Sequence, residues 1–364
     1  MVDKCTICLV GPKSAGKSSL LQTLVDCVEL AGHGFSNDYG ISLRDIDEAE
    51  YSDGQAVSRI LGGSSGNYRD YRSDFFHVQV QTDSTIEFYF RLTVDVAGAT
   101  RGASQRISKL LRVVDSAGEY AVVENYGGGR IDNPTESVNK LNDALMEAEA
   151  TIIVIPLVDM EKATFVGPLT NLIAQLVKSS DQKPSRIVVA FTQYEKLFVR
   201  AGRDAFAAAC QPKVAEEVIR RALGQGQWAQ DLRRFAQRPN KQVYLTVTSS
   251  YGFARGLGIP NIDPHYPAEM PSEQLIGKPD DIAAYWRPFL TADPFITAAI
   301  DHPGELTFTF EDLFPEEHGE LEEEQEVYEP EPRPDAALVN LSRPPSKNGW
   351  LKDKLNWFNR NRPE

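Results

Sequence analysis

The sequence predicts an α/β protein with a mainly parallel sheet flanked by helices. Short apolar runs rich in β-branched residues recur along the chain, and helical stretches separate most of them. A glycine-rich turn at 11–18 joins the first apolar run to the first helical stretch. With 364 residues, 41% of them hydrophobic, the chain is long enough to bury the core that such a sheet needs.

The N-terminal half begins with a strand and a helix. Residues 31–73 are rich in Gly, Ser, Asp and Tyr without periodicity, which indicates loop or irregular structure. Residues 75–81 and 85–96 alternate in polarity and are predicted to pair with each other. In order, the predicted elements here are strand 5–10, helix 17–30, strands 75–81, 85–96 and 110–114, and helix 134–148.

The C-terminal half continues the alternation of buried strands and helices. Residues 251–280 are rich in Pro and Gly, which indicates an insertion or a long loop. In order, the predicted elements are strand 151–158, helix 169–178, strand 186–191, helix 214–223, strand 242–247, and one or two closing helices within 281–300.

Three segments are predicted to behave differently. Residues 1–310 form the folded domain. Residues 311–345 are an acidic, Pro-rich linker whose composition cannot bury enough apolar surface to order it. Residues 346–364 form an amphipathic helix with an aromatic, apolar stripe, which we expect to dock on a partner protein. The stripe consists of Trp350, Leu351, Leu355, Trp357 and Phe358.

Charge and composition exclude several classes. The net charge of −14 argues against binding to a nucleic-acid backbone. Four Cys do not make a disulfide scaffold, no apolar stretch is long enough to span a bilayer, and the N-terminus lacks a secretory signal. We therefore expect a cytoplasmic protein that does not bind nucleic acid.

The strongest motif is Gly-Pro-Lys-Ser-Ala-Gly-Lys-Ser at 11–18, which fits G-x4-G-K-[ST]. A strand precedes it and a helix follows it, as a phosphate-binding loop requires. Loop amides and the helix N-terminus bind phosphates, Lys17 neutralises their charge, and the Ser18 hydroxyl ligates Mg²⁺. The alternative is a chance match or a loop that no longer binds nucleotide. The predicted nucleotide-binding residues here are Gly11, Lys13, Ser14, Ala15, Gly16, Lys17, Ser18 and Ser19.

A second motif, Asp-Ser-Ala-Gly-Glu, follows the strand that ends at 114. Asp115 stands at the end of a buried strand, where a carboxylate can hold Mg²⁺ beside the phosphate loop. Gly118 allows a backbone N–H to approach a γ-phosphate. Taken alone, this motif also fits an ordinary strand-ending turn.

Together these motifs resemble the Ras-like and translation-factor class of P-loop GTPases. The long insertions and the tail are similar to bacterial GTPase-like families such as the double-GTPase group. The resemblance assigns Lys17, Asp115 and Glu119 to catalysis, and Ser18 and Asp115 to Mg²⁺. Glu119 stands where Ras-like enzymes carry a Gln that orients water, and Lys13 replaces a Gly of Ras. Both departures imply slow hydrolysis.

The resemblance also implies a base-recognition motif after strand 186–191. The sequence there is Thr192-Gln193-Tyr194-Glu195, against Asn/Thr-Lys-x-Asp in the family, so Glu195 takes the position that accepts guanine N–H groups. The loop with Ser249 is similar in place to the family's Ser-Ala-Lys. The alternative for Glu195 is a strand-to-helix turn with a capping carboxylate.

The sequence thus predicts a switch protein that binds GTP and Mg²⁺, hydrolyses GTP slowly, and docks a protein partner through 346–364. One alternative is an ATP-hydrolysing P-loop protein. Another is a binding-only adaptor with structural nucleotide. Residues 346–364 have two alternative roles, which are packing on their own domain and peripheral contact with a membrane. The acidic linker disfavours binding to an anionic membrane surface.

Overall fold

The computed structural model describes residues 3–12, 14–35, 39–53, 64–73, 86–97, 104–115, 145–158, 163–179, 183–224, 226–261 and 286–314. All of them belong to one compact unit, Met1–Glu316. The predicted helix 346–364, and the linker beyond residue 314, lie outside the described residues.

A nine-stranded sheet organises these residues, with strand order β11-β8-β7-β6-β1-β5-β4-β2 and β3 beside β4. The strands β9 and β10 form a separate two-stranded antiparallel sheet. The strands are β1 Asp3–Val10, β2 Tyr39–Ile46, β3 Ser64–Ser65, β4 Ile86–Ala97, β5 Ser104–Asp115, β6 Ala150–Pro156, β7 Arg186–Thr192, β8 Gln242–Val247, β9 Ser249–Ala254, β10 Trp286–Phe289 and β11 Thr307–Thr309.

The five central strands, β5, β1, β6, β7 and β8, are mutually parallel. Their register aligns Leu9 with Asp115, and Pro156 with Thr192, so the carboxyl ends of these strands meet at one edge of the sheet. Every residue of β6 is buried, as expected for a strand covered by helices on both faces. The mainly parallel α/β sheet expected from the sequence is confirmed.

Helices cover both faces of this sheet. Alternate residues of β1 point to opposite faces: Cys8 and Val10 join the core that contains Trp228, while Ile7 and Leu9 join the core that contains Phe295. The helices are α1 Lys17–Gln22, α2 Leu24–Glu29, α3 Glu48–Ser52, α4 Tyr68–Ser73, α5 Ala163–Ser179, α6 Ala205–Ala209, α7 Pro212–Leu223, α8 Gln227–Ala236, α9 Asp293–Ile300 and α10 Phe310–Leu313. None of the helices in the described ranges is both long and apolar enough to cross a bilayer.

The predicted helix 17–30 is interrupted at Thr23, which separates α1 from α2. The Thr23 hydroxyl donates to the carbonyl oxygens of Ser19 at 2.9 Å and Leu20 at 3.2 Å. A Thr hydroxyl bonded to the preceding turn competes with the helical ladder and bends a helix. A single continuous helix was therefore the wrong prediction at this position.

The prediction of loop or irregular structure for 31–73 was also wrong in part. The segment contains β2, α3, β3 and α4. The strand β2 pairs antiparallel with β4, and Asp47 caps α3 by accepting the backbone N–H of Glu50. These elements are short and depend on neighbours distant in sequence, so a search for local periodicity does not detect them.

The described neighbours of β4 in the sheet are β2, β3 and β5. The strand β4 lies between β2 and β5 and is antiparallel to both. Residues 75–81, the predicted partner, lie outside the described residues.

The segment predicted as an insertion, 251–280, begins within β9, one strand of the two-stranded sheet. Gly252 has a φ of +61°, and a Cβ there would lie 1.8 Å from the Arg287 carbonyl oxygen, so the two-stranded sheet requires glycine. One or two closing helices were predicted within 281–300. In the described part of this range, the structure has the strand β10 followed by the single helix α9. Pro294 lies in the first turn of α9, where proline starts helices well.

Candidate functional site

The edge where the parallel strands end carries the residues that the sequence motifs predict. The loop after β1 lies beside the end of β5, because β1 and β5 are parallel neighbours in register. The ends of β7 and β8 lie further along the same edge. In open α/β sheets, ligands bind at the carboxyl ends of the strands.

The loop after β1 adopts conformations that require glycine at two positions. Gly16, at the start of α1, has a φ of +92°. Gly11 has a φ of +155°, and a Cβ there would lie 2.5 Å from the carbonyl oxygen of Val154. Ser14 is exposed and has a φ of +62°. The loop therefore passes close to β6 and turns sharply into α1.

The Lys17 side chain is buried and folds back over its own loop. Its Nζ donates to the carbonyl oxygens of Gly11 at 3.0 Å and Pro12 at 3.2 Å. Burial lowers the pKa of Lys17, and the negative charge of Asp115 opposes that shift. An anion held by this loop would favour the charged ammonium and offer it better acceptors than neutral carbonyl groups.

Asp115 is fully buried beside this lysine. Its Oδ2 accepts hydrogen bonds from the Tyr71 hydroxyl at 2.9 Å and the Ser18 hydroxyl at 3.4 Å. Its Oδ1 is buried and has no hydrogen-bond partner among the described residues. Burial raises the pKa of Asp115, while the Lys17 charge and the two hydroxyl groups oppose that rise.

The donor set of Ser18 and Asp115 fits a hard divalent cation. A hydroxyl and a carboxylate are oxygen ligands of the kind that Mg²⁺ prefers, usually completed by water and substrate phosphates. A buried carboxylate oxygen without a partner is costly, so a cation or its bound water would satisfy Asp115 Oδ1. Both residues therefore fit the predicted magnesium role.

Several predicted residues take structural positions in or near the loop. Ala15 is buried, and its carbonyl oxygen accepts the Thr192 hydroxyl at 2.7 Å. Thr192 therefore ties the end of β7 to the phosphate loop. The Ser19 carbonyl oxygen accepts the hydroxyl of Thr23 within the helix. Three predicted residues, Lys13, Gly118 and Glu119, lie outside the described residues.

The second part of the site lies where β7 and β8 end. Glu195 is 1% exposed, and its Oε2 has no hydrogen-bond partner among the residues that the structure describes. Burial raises the pKa of Glu195, and a hydrogen bond from the Ser249 side chain opposes that rise. Gln193, the residue before this turn, has a φ of +63°, and its Oε1 accepts from Lys196 Nζ at 3.1 Å.

Backbone bonds hold this turn against the loop that follows β8. The Thr248 N–H donates to the Phe191 carbonyl at 2.7 Å, and the Tyr194 N–H donates to the Thr248 carbonyl at 3.2 Å. The Ser249 Oγ also accepts the N–H of Gly252 at 2.6 Å. Glu195 and Ser249, predicted from two separate motifs, therefore lie close enough for Ser249 to affect the pKa of Glu195.

Sequence reasoning missed Tyr71. This residue comes from α4, within the segment predicted to be irregular. The signal available was the spacing of Tyr68, Tyr71 and Arg72, which places aromatic and basic side chains one helical turn apart. That spacing alone does not indicate a contact with Asp115.

No protein-family model matches this chain, and no curated protein matches it. Among solved structures it is similar to Sup35 complexed with GDP, at 10% identity and a TM-score of 0.26, over 69% of this chain and 38% of that chain. It is also similar to the S. cerevisiae Ski7 GTPase-like domain bound to GTP, at 13% identity and a TM-score of 0.28, over 68% of this chain and 43% of that one.

The same Ski7 domain bound to GDP and inorganic phosphate gives 14% identity and a TM-score of 0.29, again over 68% and 43% of the two chains. The chain thus spans less than half the length of the structures it matches.

Proposed function

We propose that this chain binds GTP with Mg²⁺ at the edge formed by the ends of β1, β5, β7 and β8, and acts as a switch with slow hydrolysis. One observation carries the proposal: Lys17, Ser18 and Asp115, from motifs about a hundred residues apart, form one cluster in which Lys17 and Asp115 are buried. A cation, a hydroxyl and a carboxylate beside a glycine-dependent loop are the groups that a metal-bound triphosphate needs.

In this proposal the loop 11–18 holds the phosphates, and Lys17 exchanges its two carbonyl partners for phosphate oxygens. Ser18 and Asp115 hold Mg²⁺. The metal, when bound, neutralises the charge of the β- and γ-phosphates. The remaining task of the chain is to orient the triphosphate.

Guanine is the preferred base because of Glu195. Its buried Oε2 has no hydrogen-bond partner in the described part of the chain, which is a costly arrangement unless a ligand donates to it. Guanine offers two N–H groups on one edge, whereas adenine offers an acceptor and a single amino group there. If Glu195 and Gln193 do not contact a base, the ATP-hydrolysing alternative is favoured instead.

Slow hydrolysis is proposed from the resemblance to Ras-like GTPases. A Glu at position 119 would repel the γ-phosphate where a Gln would not, and Lys13 would obstruct an arginine supplied by another protein. A chain that binds nucleotide without hydrolysing it would match the binding-only adaptor.

We also propose that residues 346–364 dock on a partner protein in the cytoplasm. The support is their aromatic stripe and its separation from the folded unit by an acidic, Pro-rich segment. Between Glu311 and Asp335 there are 12 acidic residues and one basic residue, which would be repelled by an anionic membrane.

The experiment that tests the nucleotide is identification of what co-purifies with the protein. The protein is denatured, and the released nucleotide is identified by chromatography against GTP, GDP, ATP and ADP standards. Guanine nucleotide is the expected result, and adenine nucleotide would favour the ATP alternative. Release of inorganic phosphate from added GTP then separates a slow hydrolase from an adaptor.

A further inference from the structure

The Tyr71 hydroxyl contacts the one carboxylate that the proposed metal site depends on. It donates to Asp115 Oδ2 at 2.9 Å, a shorter bond than the 3.4 Å bond from Ser18 to the same oxygen. The other oxygen, Oδ1, is buried without a partner in the described part of the chain. Both hydroxyl groups thus act on one oxygen and leave the other available to a ligand.

The backbone of Tyr71 is fixed by the helices behind the phosphate loop. The Gln22 side-chain amide, at the end of α1, donates to the Tyr71 carbonyl oxygen at 2.8 Å. The neighbouring Arg72 forms an ion pair with Asp26 of α2, with Nε 2.9 Å from Oδ2. The short helix α4 is therefore held on α1 and α2 by contacts at Tyr71 itself and at the residue that follows it.

The aromatic ring of Tyr71 is held from the sheet. It packs against Phe88 of β4, with 4.6 Å between ring centroids and 36° between ring planes. Phe88 is 1% exposed and pairs in register with Val113 of β5, two residues before Asp115. The ring and the backbone of Tyr71 are thus both constrained, so its hydroxyl has little freedom to leave Asp115.

We infer that Tyr71 is a positioning residue for Mg²⁺: it holds Asp115 Oδ2 so that Oδ1 faces the metal shell of the bound nucleotide. The inference rests on the proposed function. Partners that orient a ligating carboxylate, without touching the metal, commonly control the affinity for the metal. Because α4 carries this hydroxyl, α4 takes part in metal binding through its hold on Asp115.

The test is a Mg²⁺ titration of nucleotide binding to the Tyr71→Phe variant of the full chain. Binding of a fluorescent GTP analogue is measured from micromolar to millimolar Mg²⁺, and again in excess EDTA. Tyr71→Phe should raise the Mg²⁺ concentration for half-maximal binding about 10- to 100-fold. In EDTA the variant and the wild type should bind the analogue equally, because the phosphate loop is unchanged.

Tyr89→Phe is the matched control. The Tyr89 hydroxyl also donates to a buried carboxylate, Glu87 Oε2 at 3.0 Å, within β4, and that carboxylate forms an ion pair with Arg112. This variant loses the same kind of bond and should keep the Mg²⁺ dependence of the wild type. If Tyr71→Phe does not fold, Gln22→Leu, which removes the amide that fixes the Tyr71 carbonyl oxygen and leaves the tyrosine in place, should raise the Mg²⁺ requirement in the same direction.

The outcomes separate the inference from the proposed function. A wild-type chain that binds no guanine nucleotide at any Mg²⁺ concentration contradicts the proposed function itself. A wild type that binds in a Mg²⁺-dependent manner, with an unchanged titration for Tyr71→Phe, overturns only the inference. An equal shift for Tyr89→Phe, or equal weakening of Tyr71→Phe in EDTA, would show a structural role and would also overturn it.

Discussion

Replacing Glu195 by Gln should have opposite effects on guanine recognition and on the stability of the nucleotide-free fold. The carboxylate is 1% exposed, Ser249 donates to it, and its Oε2 has no partner among the described residues. Glu195→Gln keeps the volume and an acceptor oxygen but removes the negative charge. It therefore tests the charge of this group apart from its packing.

The loss of GTP affinity follows from the hydrogen bonds at stake. A hydrogen bond to a charged group contributes about 1.5–3 kcal/mol, so replacing the carboxylate by an amide should weaken GTP binding about 10- to 100-fold. ATP affinity should change little, since adenine cannot donate two N–H groups to this carboxylate. The preference for GTP over ATP should therefore fall by the same factor.

The free energy of unfolding of the nucleotide-free protein should rise instead. Burial raises the pKa of Glu195 above its ordinary value, so the ionised form is destabilising in the folded state. The rise in the free energy of unfolding caused by Glu195→Gln should be greatest above the folded-state pKa of Glu195, where the wild-type carboxylate is ionised. It should disappear as the pH falls towards the ordinary pKa. An unsatisfied buried group costs about 1–3 kcal/mol, which sets the upper limit of this gain.

Calorimetric titration with GTP and ATP at one Mg²⁺ concentration gives the affinities, and thermal melting at pH 5 and pH 8 gives the stability. Glu216→Gln is the control, because it removes a carboxylate from a partly exposed pair with Arg220 on α7. An unchanged ratio of GTP to ATP affinity in Glu195→Gln would refute base recognition by this residue. If Glu195→Gln is less stable than the wild type at pH 8, the inference that burial destabilises the ionised Glu195 carboxylate is refuted.

Two further predictions concern stability. Asp293 is buried, both of its carboxylate oxygens accept the N–H of Gly34, and burial together with the Glu305 charge raises its pKa to about 8. Because the folded state binds the Asp293 proton more tightly than the unfolded state does, the free energy of unfolding should fall as the pH rises from the ordinary pKa of 3.8 towards 8. Melting curves of Asp293→Asn should show a smaller dependence on pH over this range. An equally steep dependence in the variant contradicts this prediction. Deletion of 346–364 should leave the melting temperature and GTP affinity unchanged while abolishing partner binding, and a truncation that melts several degrees lower would show that the segment packs on the domain.

The central sheet was predictable because its strands are apolar and buried on both faces. Strand 242–247 was predicted with the bounds of β8, and the apolar run 151–158 largely coincides with β6. The cluster of Lys17, Ser18 and Asp115 follows from the same pattern, because the carboxyl ends of parallel neighbours meet at one edge.

The elements between α2 and β4 could not be predicted from apolar runs in the sequence. These elements are two to eight residues long and are held by partners far along the chain, such as Asp26 for Arg72. Local propensity is weak over such lengths, and tertiary contacts decide the structure. Tyr71 was missed for that reason, since its role depends on where α4 docks.

The central claim is that the loop 11–18 binds a triphosphate through Lys17, and calorimetry of Lys17→Ala with Mg²⁺ and GTP tests it most directly. Lys109→Ala is the matched control: it also removes one positive charge, from a surface pair with Asp3 at the opposite end of β1 and β5. We expect Lys17→Ala to bind GTP about 10- to 100-fold more weakly, or not at all, and Lys109→Ala to bind as the wild type does. Equal GTP affinity for Lys17→Ala and the wild type, with both folded, would contradict the claim.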